Sequence, residues 1–97
     1  MEVQEILVAL GRRVRELRLK RGYSQEAFAD HCGVHRTFMG TIERGESNLS
    51  FSNLVKVSKA LGLTLSQLLS GLEKRADVLA KRPQVASRPE SRRPKQP

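Results

Sequence analysis

The stretch HRTFMGTIERGESN, residues 35–48, gathers the side chains whose types and spacing suit recognition chemistry. At helical spacing Met39 and Ile42 share one face, which leaves Arg36, Thr37, Gly40 and Thr41 on the other, with Arg44 one turn further on. A planar guanidinium, two hydroxyls carrying methyl groups and a patch of bare backbone suit the groove of a DNA duplex. Arginine pairs in bidentate fashion with O6 and N7 of guanine, worth about 1–3 kcal/mol of discrimination, and a threonine methyl packs on the thymine methyl. Gly40 is the odd member, because glycine inside a helix costs roughly 1 kcal/mol relative to alanine. Two readings stand: a close approach of backbone to duplex, or a tolerant surface position.

A second cluster invites metal chemistry. His31, Cys32 and His35 form an H-C-x-x-H arrangement, but a structural zinc needs about four convergent ligands and Gly33 interrupts any helix between the two histidines. No metal and no cofactor are expected, and Cys32 reads as a small buried apolar side chain. Catalysis has as little support. No glycine-rich phosphate loop, no nucleophile beside an activating base and no pair of carboxylates in a plausible pocket is visible, so the chain is not expected to be an enzyme.

The elements that must position the Arg36 stretch are legible in the periodicity. Val3, Ile6 or Leu7, Leu10, Val14 and Leu17 form an apolar stripe on a first helix that stops near Arg21-Gly22, with Arg12, Arg13, Arg15 and Lys20 mostly off it. Ser24 is a good N-cap for a helix Gln25 to Cys32, which Gly33 ends; Val34 and His35 lead into a third helix, Arg36 to Arg44, closed by Gly45. Two short helices joined by a tight glycine-containing turn are a helix-turn-helix. Ser50 caps a fourth helix, Phe51 to Leu61, and Thr64 with Gln67 reads as a capping box for a fifth, Leu65 to about Ser70. Gly71 either ends that helix or weakens it before a helical pattern resumes over Leu72 to Lys81.

Ninety-seven residues allow one small domain. The 38% apolar content with four aromatics suits a helical core of Leu, Val and Ile. The net charge of +8 is unevenly placed: residues 1–70 carry ten basic and seven acidic side chains, residues 71–97 eight and three. That excess makes a polyanionic partner plausible, a duplex being the commonest. A single cysteine rules out an internal disulfide and fits a reducing cytosol. No apolar run approaches the roughly 20 residues that span a bilayer, and MEVQEILVAL has acidic residues where a signal peptide would be basic, so the chain reads as cytoplasmic and complete, with no membrane partner.

With these features in hand a resemblance is apparent. The segment RELRLKRGYSQEAFADHCGVHRTFMGTIERGESNLSFSNLVKVSKALGLTLSQLL, most of residues 10–70, resembles the helix-turn-helix domain of phage Cro and cI-type repressors and the xenobiotic-response-element regulators, through SQEAFA, the turn Gly33, the ending IERG and the finish ALGLTLSQLL. Within that family RTFMGTIERGESNLS looks most like the restriction-modification controller proteins, small dimeric regulators. The resemblance implies base reading by Arg36, Thr37 and Thr41, on the face that also holds Gly40. It implies DNA-backbone contacts from Gln25, which would also brace the recognition helix, and from Arg44, Asn48 and Ser50, with Ser24 and His35 joining them at the starts of the second and third helices. It further implies an ion pair, Arg18 with Glu43, tying the first helix to the end of the third; if buried, removing one partner costs about 3–5 kcal/mol. Phe38 departs from the tyrosine common in relatives, and Gly40 removes a possible reader.

Leu65, Leu68, Leu69 and Leu72 exceed what so small a core needs on one side; they either all face inward or form a two-fold interface, and the resemblance implies the interface. A dimer would set two recognition helices about 34 Å apart on a near-palindromic operator. Residues 82–97 carry four prolines and five basic side chains and should be a disordered tail. That tail would be a solvated end, a nonspecific DNA arm or a segment that binds a protein partner. The expectation is thus an all-α, five-helix lambda-repressor-like domain over residues 1–81 that binds double-stranded DNA as a homodimeric, autoregulatory transcription regulator. The alternative is an antitoxin that holds both its operator and a toxin protein.

Overall fold

A computed structural model of the chain describes residues 2–81. They form six helices: α1 (Val3–Lys20), α2 (Gln25–Cys32), α3 (Arg36–Glu43), α4 (Phe51–Ala60), α5 (Leu65–Leu69) and α6 (Leu72–Lys81). The expected tail and its boundary near residue 81 lie outside the described residues.

Local chemistry sets the boundaries. The Ser24 hydroxyl accepts from the Ala27 amide at 3.0 Å, Ser50 from Asn53 at 3.2 Å, and Thr64 from Gln67 at 3.0 Å while the Gln67 side-chain oxygen accepts from the Thr64 amide at 2.9 Å. His35 caps α3 with Nδ1, which accepts from the Thr37 amide at 3.1 Å. Gly33 adopts the left-handed conformation, φ +77°, and makes the α2–α3 turn possible.

The core is one cluster. Val14, Phe28, Met39, Ile42, Val57 and Leu68 are its largest fully buried side chains, drawn from α1 to α5. Helix α6 packs along α1, burying Leu72 and Ala76 with Leu79 half-buried. The five expected helices are thus present, and the pattern beyond Gly71 is a separate sixth, because Gly71 takes φ +75° and turns the chain.

The leucines at this end need a correction. Leu68 (0% exposed) and Leu72 (4%) are core residues of the single chain and offer no surface to a second copy. Because α5 has only five residues, Leu68 must point inward if the helix is to be anchored at all. Only Leu65, half-buried, and Leu69, 38% exposed, keep area to offer. The C-terminal carbonyls of α5 are held from α1: Arg13 donates from Nε to Leu68 O and from Nη2 to Gln67 O, both at 2.8 Å.

Candidate nucleic-acid interface

Helix α3 buries Met39 and Ile42 and turns Arg36 and Thr37 outward, both exposed. The Arg36 guanidinium lies 3.6 Å from the Glu26 carboxylate, both side chains more than two-thirds exposed. Such a pair is weak and screened, so Arg36 exchanges it readily for another acceptor.

Two members of the expected reading face are otherwise engaged. Thr41 is half-buried: its hydroxyl donates to Phe38 O at 2.6 Å and shares a short hydrogen bond with the Ser47 hydroxyl. Thr41 therefore anchors the loop after α3 and is not a free hydroxyl on the groove-facing surface. Gly40 is buried. A Cβ there would stand 3.1 Å from Arg44 Nη1 and 3.5 Å from Gln25 Oε1. The reading of Gly40 as a tolerant surface position does not hold: its bare Cα is covered by an arginine folded back over the helix and by the side chain that opens α2.

The far end of α3 is tied down by a buried network. Arg18 Nε donates to Glu43 Oε2 at 2.6 Å and Nη2 to Oε1 at 3.0 Å, with the two side chains 8% and 3% exposed. Arg18 Nη1 also donates to Tyr23 O at 2.9 Å, and Gln25 Nε2 to Glu43 Oε1 at 3.2 Å. Gln25 thereby links the first turn of α2 to the last turn of α3 through the same carboxylate.

Of the second working stripe of α1, the resemblance points to Arg18 alone; sequence reasoning missed Gln4, Val8 and Gly11. Gln4 Nε2 donates to Gly45 O at 2.9 Å. Gly45, at φ +73°, sits so close to α1 that a Cβ on it would be 2.6 Å from Val8 Cα. A Cβ on Gly11 would be 2.6 Å from Glu43 O, with Ile42 O nearer still, so the α1 and α3 backbones touch there. The signal was a glycine in mid-helix, off the apolar stripe.

The remaining candidates are distributed as follows. Ser24, His35 and Ser50 act as helix caps, accepting from the Ala27, Thr37 and Asn53 amides, and Asn48 is exposed in the α3–α4 loop. Arg44 Nε donates to Glu46 Oε2 at 3.0 Å, both more than half exposed. The H-C-x-x-H residues go three ways: His31 stacks on Tyr23 with centroids 5.3 Å apart, His35 caps α3, and Cys32 is buried, its thiol pKa pushed up from 9.0 to about 11 by desolvation. Among the described residues no group of three or more His, Cys, Asp or Glu side chains is placed to hold a metal, and no helix is long and apolar enough to cross a membrane.

Comparison with known proteins agrees with this architecture. The helix-turn-helix family matches residues 14–68. Control protein C.BamHI of Bacillus amyloliquefaciens is 46% identical over 65 residues, covering 66% of this chain and 80% of that protein. Control protein C.MunI of Mycoplasma sp is 41% identical over 73 residues, 74% of this chain and 99% of that one. Among solved structures, the restriction-modification controller protein C.AhdI from Aeromonas hydrophila superimposes with a TM-score of 0.62 at 42% identity, over 64% of this chain and 94% of its own. The hypothetical transcription factor NHTF from Neisseria gives 0.67 at 32% identity, over 82% and 90%. A buried Arg18–Glu43 brace behind an outward-facing Arg36 thus occurs in a chain that belongs to the helix-turn-helix family and is similar to the restriction-modification controller proteins.

Proposed function

We propose that this protein is a sequence-specific DNA-binding transcription regulator that occupies a near-palindromic operator as a homodimer, in the cytoplasm, and controls its own gene together with those of a restriction-modification system. The observation that carries the reading is the exposure of Arg36 and Thr37 on a helix whose opposite end is fixed by a buried bidentate ion pair. A reader backbone held rigidly loses little conformational entropy on docking, and the arginine fork, only weakly paired with Glu26, is released to meet guanine.

In this reading Arg36 and Thr37 contact base edges. Thr41 shapes the loop that follows, and Gln25, Asn48 and the amides at the starts of α2 and α4 meet phosphates. Leu65 and Leu69 are the residues of the expected interface with surface left for a second copy. The relatives named as control proteins support the restriction-modification assignment.

The test is selection of bound fragments from the source genome at near-physiological salt, with wild type and Arg36→Ala side by side. Enrichment of a palindrome upstream of restriction or methyltransferase genes, lost in the variant, is the expected result. Indiscriminate or absent enrichment by the wild type refutes groove reading by α3.

A further inference from the structure

The outer side of the α1–α3 contact opens into a concavity of about 630 Å³ that the base-reading assignment leaves unused. Arg12 and Arg15 of α1, Gln25 of α2, Arg44 at the end of α3 and Glu46 line it, with the Glu43 carboxylate in its wall. Its charges do not balance. The Glu43 carboxylate is neutralised by Arg18 and satisfied further by Gln25, leaving Glu46, which pairs with Arg44, as the one other carboxylate. Neither Arg12 nor Arg15 has a carboxylate partner among the described residues, and both are exposed. Where Glu16, one residue from Arg15, does pair, it does so with Arg75 on the α6 side of the helix.

The cavity also has a built seat for its third cation. The Arg44 guanidinium rests over the bare Cα of Gly40, 3.1 Å from where a Cβ would be, with the Gln25 oxygen 3.5 Å from the same point. A Cβ at position 40 would crowd the Arg44 guanidinium and only touch the Gln25 oxygen.

We infer that this concavity takes one backbone phosphate of the DNA duplex, held by Arg12 and Arg15 of α1 together with Arg44, and that Gly40 exists to seat Arg44 there rather than to admit a base. Guanidinium forks match phosphate oxygens in geometry and charge, and the unpaired arginines lose no existing ion pair when the phosphate arrives. The site flanks the reading helix on the α1 side, so it adds affinity and orientation without adding sequence information. The inference rests on the proposed DNA-binding function and extends it to a helix that carries no base-reading residue.

The test is a salt titration of binding to the selected operator duplex and to an unrelated duplex of equal length, comparing wild type, Arg12→Gln/Arg15→Gln and Arg36→Ala. Urea unfolding of each variant is measured alongside. The double variant is expected to fold normally, to weaken on both duplexes by a similar factor, and to lower the salt slope by about one per protomer. Its preference for operator over unrelated duplex should persist, whereas Arg36→Ala should lose preference and keep most of the slope. An unchanged slope in the double variant overturns the phosphate site, and so does a lost preference with an unchanged slope, which would put these arginines on bases. A wild type without operator preference fails the groove-reading proposal alone, since the slope on unrelated duplex still decides the phosphate site.

Discussion

Gly11→Ala is a one-methyl perturbation whose consequence can be worked through. The added Cβ would lie 2.6 Å from Glu43 O and 2.8 Å from Glu43 C. Nonbonded carbon atoms settle at about 3.5–4.0 Å, so α1 and α3 must part by roughly 1 Å at their crossing. The obstructing atoms are backbone, and no rotamer change relieves the contact. Overpacking of this kind costs about 1–3 kcal/mol. Separation also stretches the Arg18–Glu43 bonds of 2.6 and 3.0 Å, putting at risk part of the about 3–5 kcal/mol that uncoupling a buried pair costs. Alanine returns roughly 1 kcal/mol of helix propensity. The net loss is about 2–4 kcal/mol, which should lower the urea midpoint by about 2 M in a domain of this size. Gly40→Ala is the internal control, because there the obstructing atoms are the ends of flexible side chains, and stability should hold or rise by up to about 1 kcal/mol. Urea unfolding followed by far-ultraviolet circular dichroism decides it. A Gly11→Ala midpoint equal to or above wild type would refute the backbone-contact argument.

Glu43→Ala leaves Arg18 buried without its counter-charge and is expected to lose about 3–5 kcal/mol, read by the same unfolding assay; a normally stable variant would mean the pair is well hydrated. Leu68→Ala should cost about 2–5 kcal/mol in chain stability, because Leu68 lies fully inside the core. Leu69→Asp should leave the monomer's fold intact and shift sedimentation toward monomer, and an unaltered oligomeric state would remove Leu69 from the interface. Cys32 should resist thiol reagents at neutral pH until the protein unfolds. Its folded-state pKa lies above the unfolded one, so its contribution to stability is complete below pH 9.0 and is lost as pH rises toward about 11; a Cys32→Ala chain should show a shallower fall over that window.

Much of the secondary structure was legible because the residues that start and stop helices act locally. Ser24, Ser50 and Thr64 cap the helices the sequence placed after them, and glycines 22, 33, 45, 62 and 71 all take positive φ. The second stripe of α1 was not legible in that way. Apolar periodicity detects faces that bury hydrocarbon, whereas Gln4, Gly11 and Arg18 meet α3 and its following loop through an amide, a bare backbone and a guanidinium. Gly40 was misplaced for a related reason: helical spacing assigns a face but does not reveal that Arg44, four residues on, folds back over it. The leucines of α5 and α6 show the limit of counting, since composition says how much apolar surface exists and only the path of the chain says that Leu68 and Leu72 turn inward.

The hold of Arg13 on the last carbonyls of α5 makes α1 a single rod bonded to both ends of the recognition apparatus. One helix carries the brace to α3, through Arg18, and the clamp on α5, five residues earlier in the sequence. In the proposed dimer docked through α5, the ties within each chain would fix each reader against its own α5, and the separation of the two readers would act as a calliper setting. Such a calliper has little give: inserting one base pair between half-sites turns one target by roughly a tenth of a helical turn and moves it a few ångströms along the axis. A dimer of the kind proposed is therefore expected to reject a correct sequence at the wrong interval.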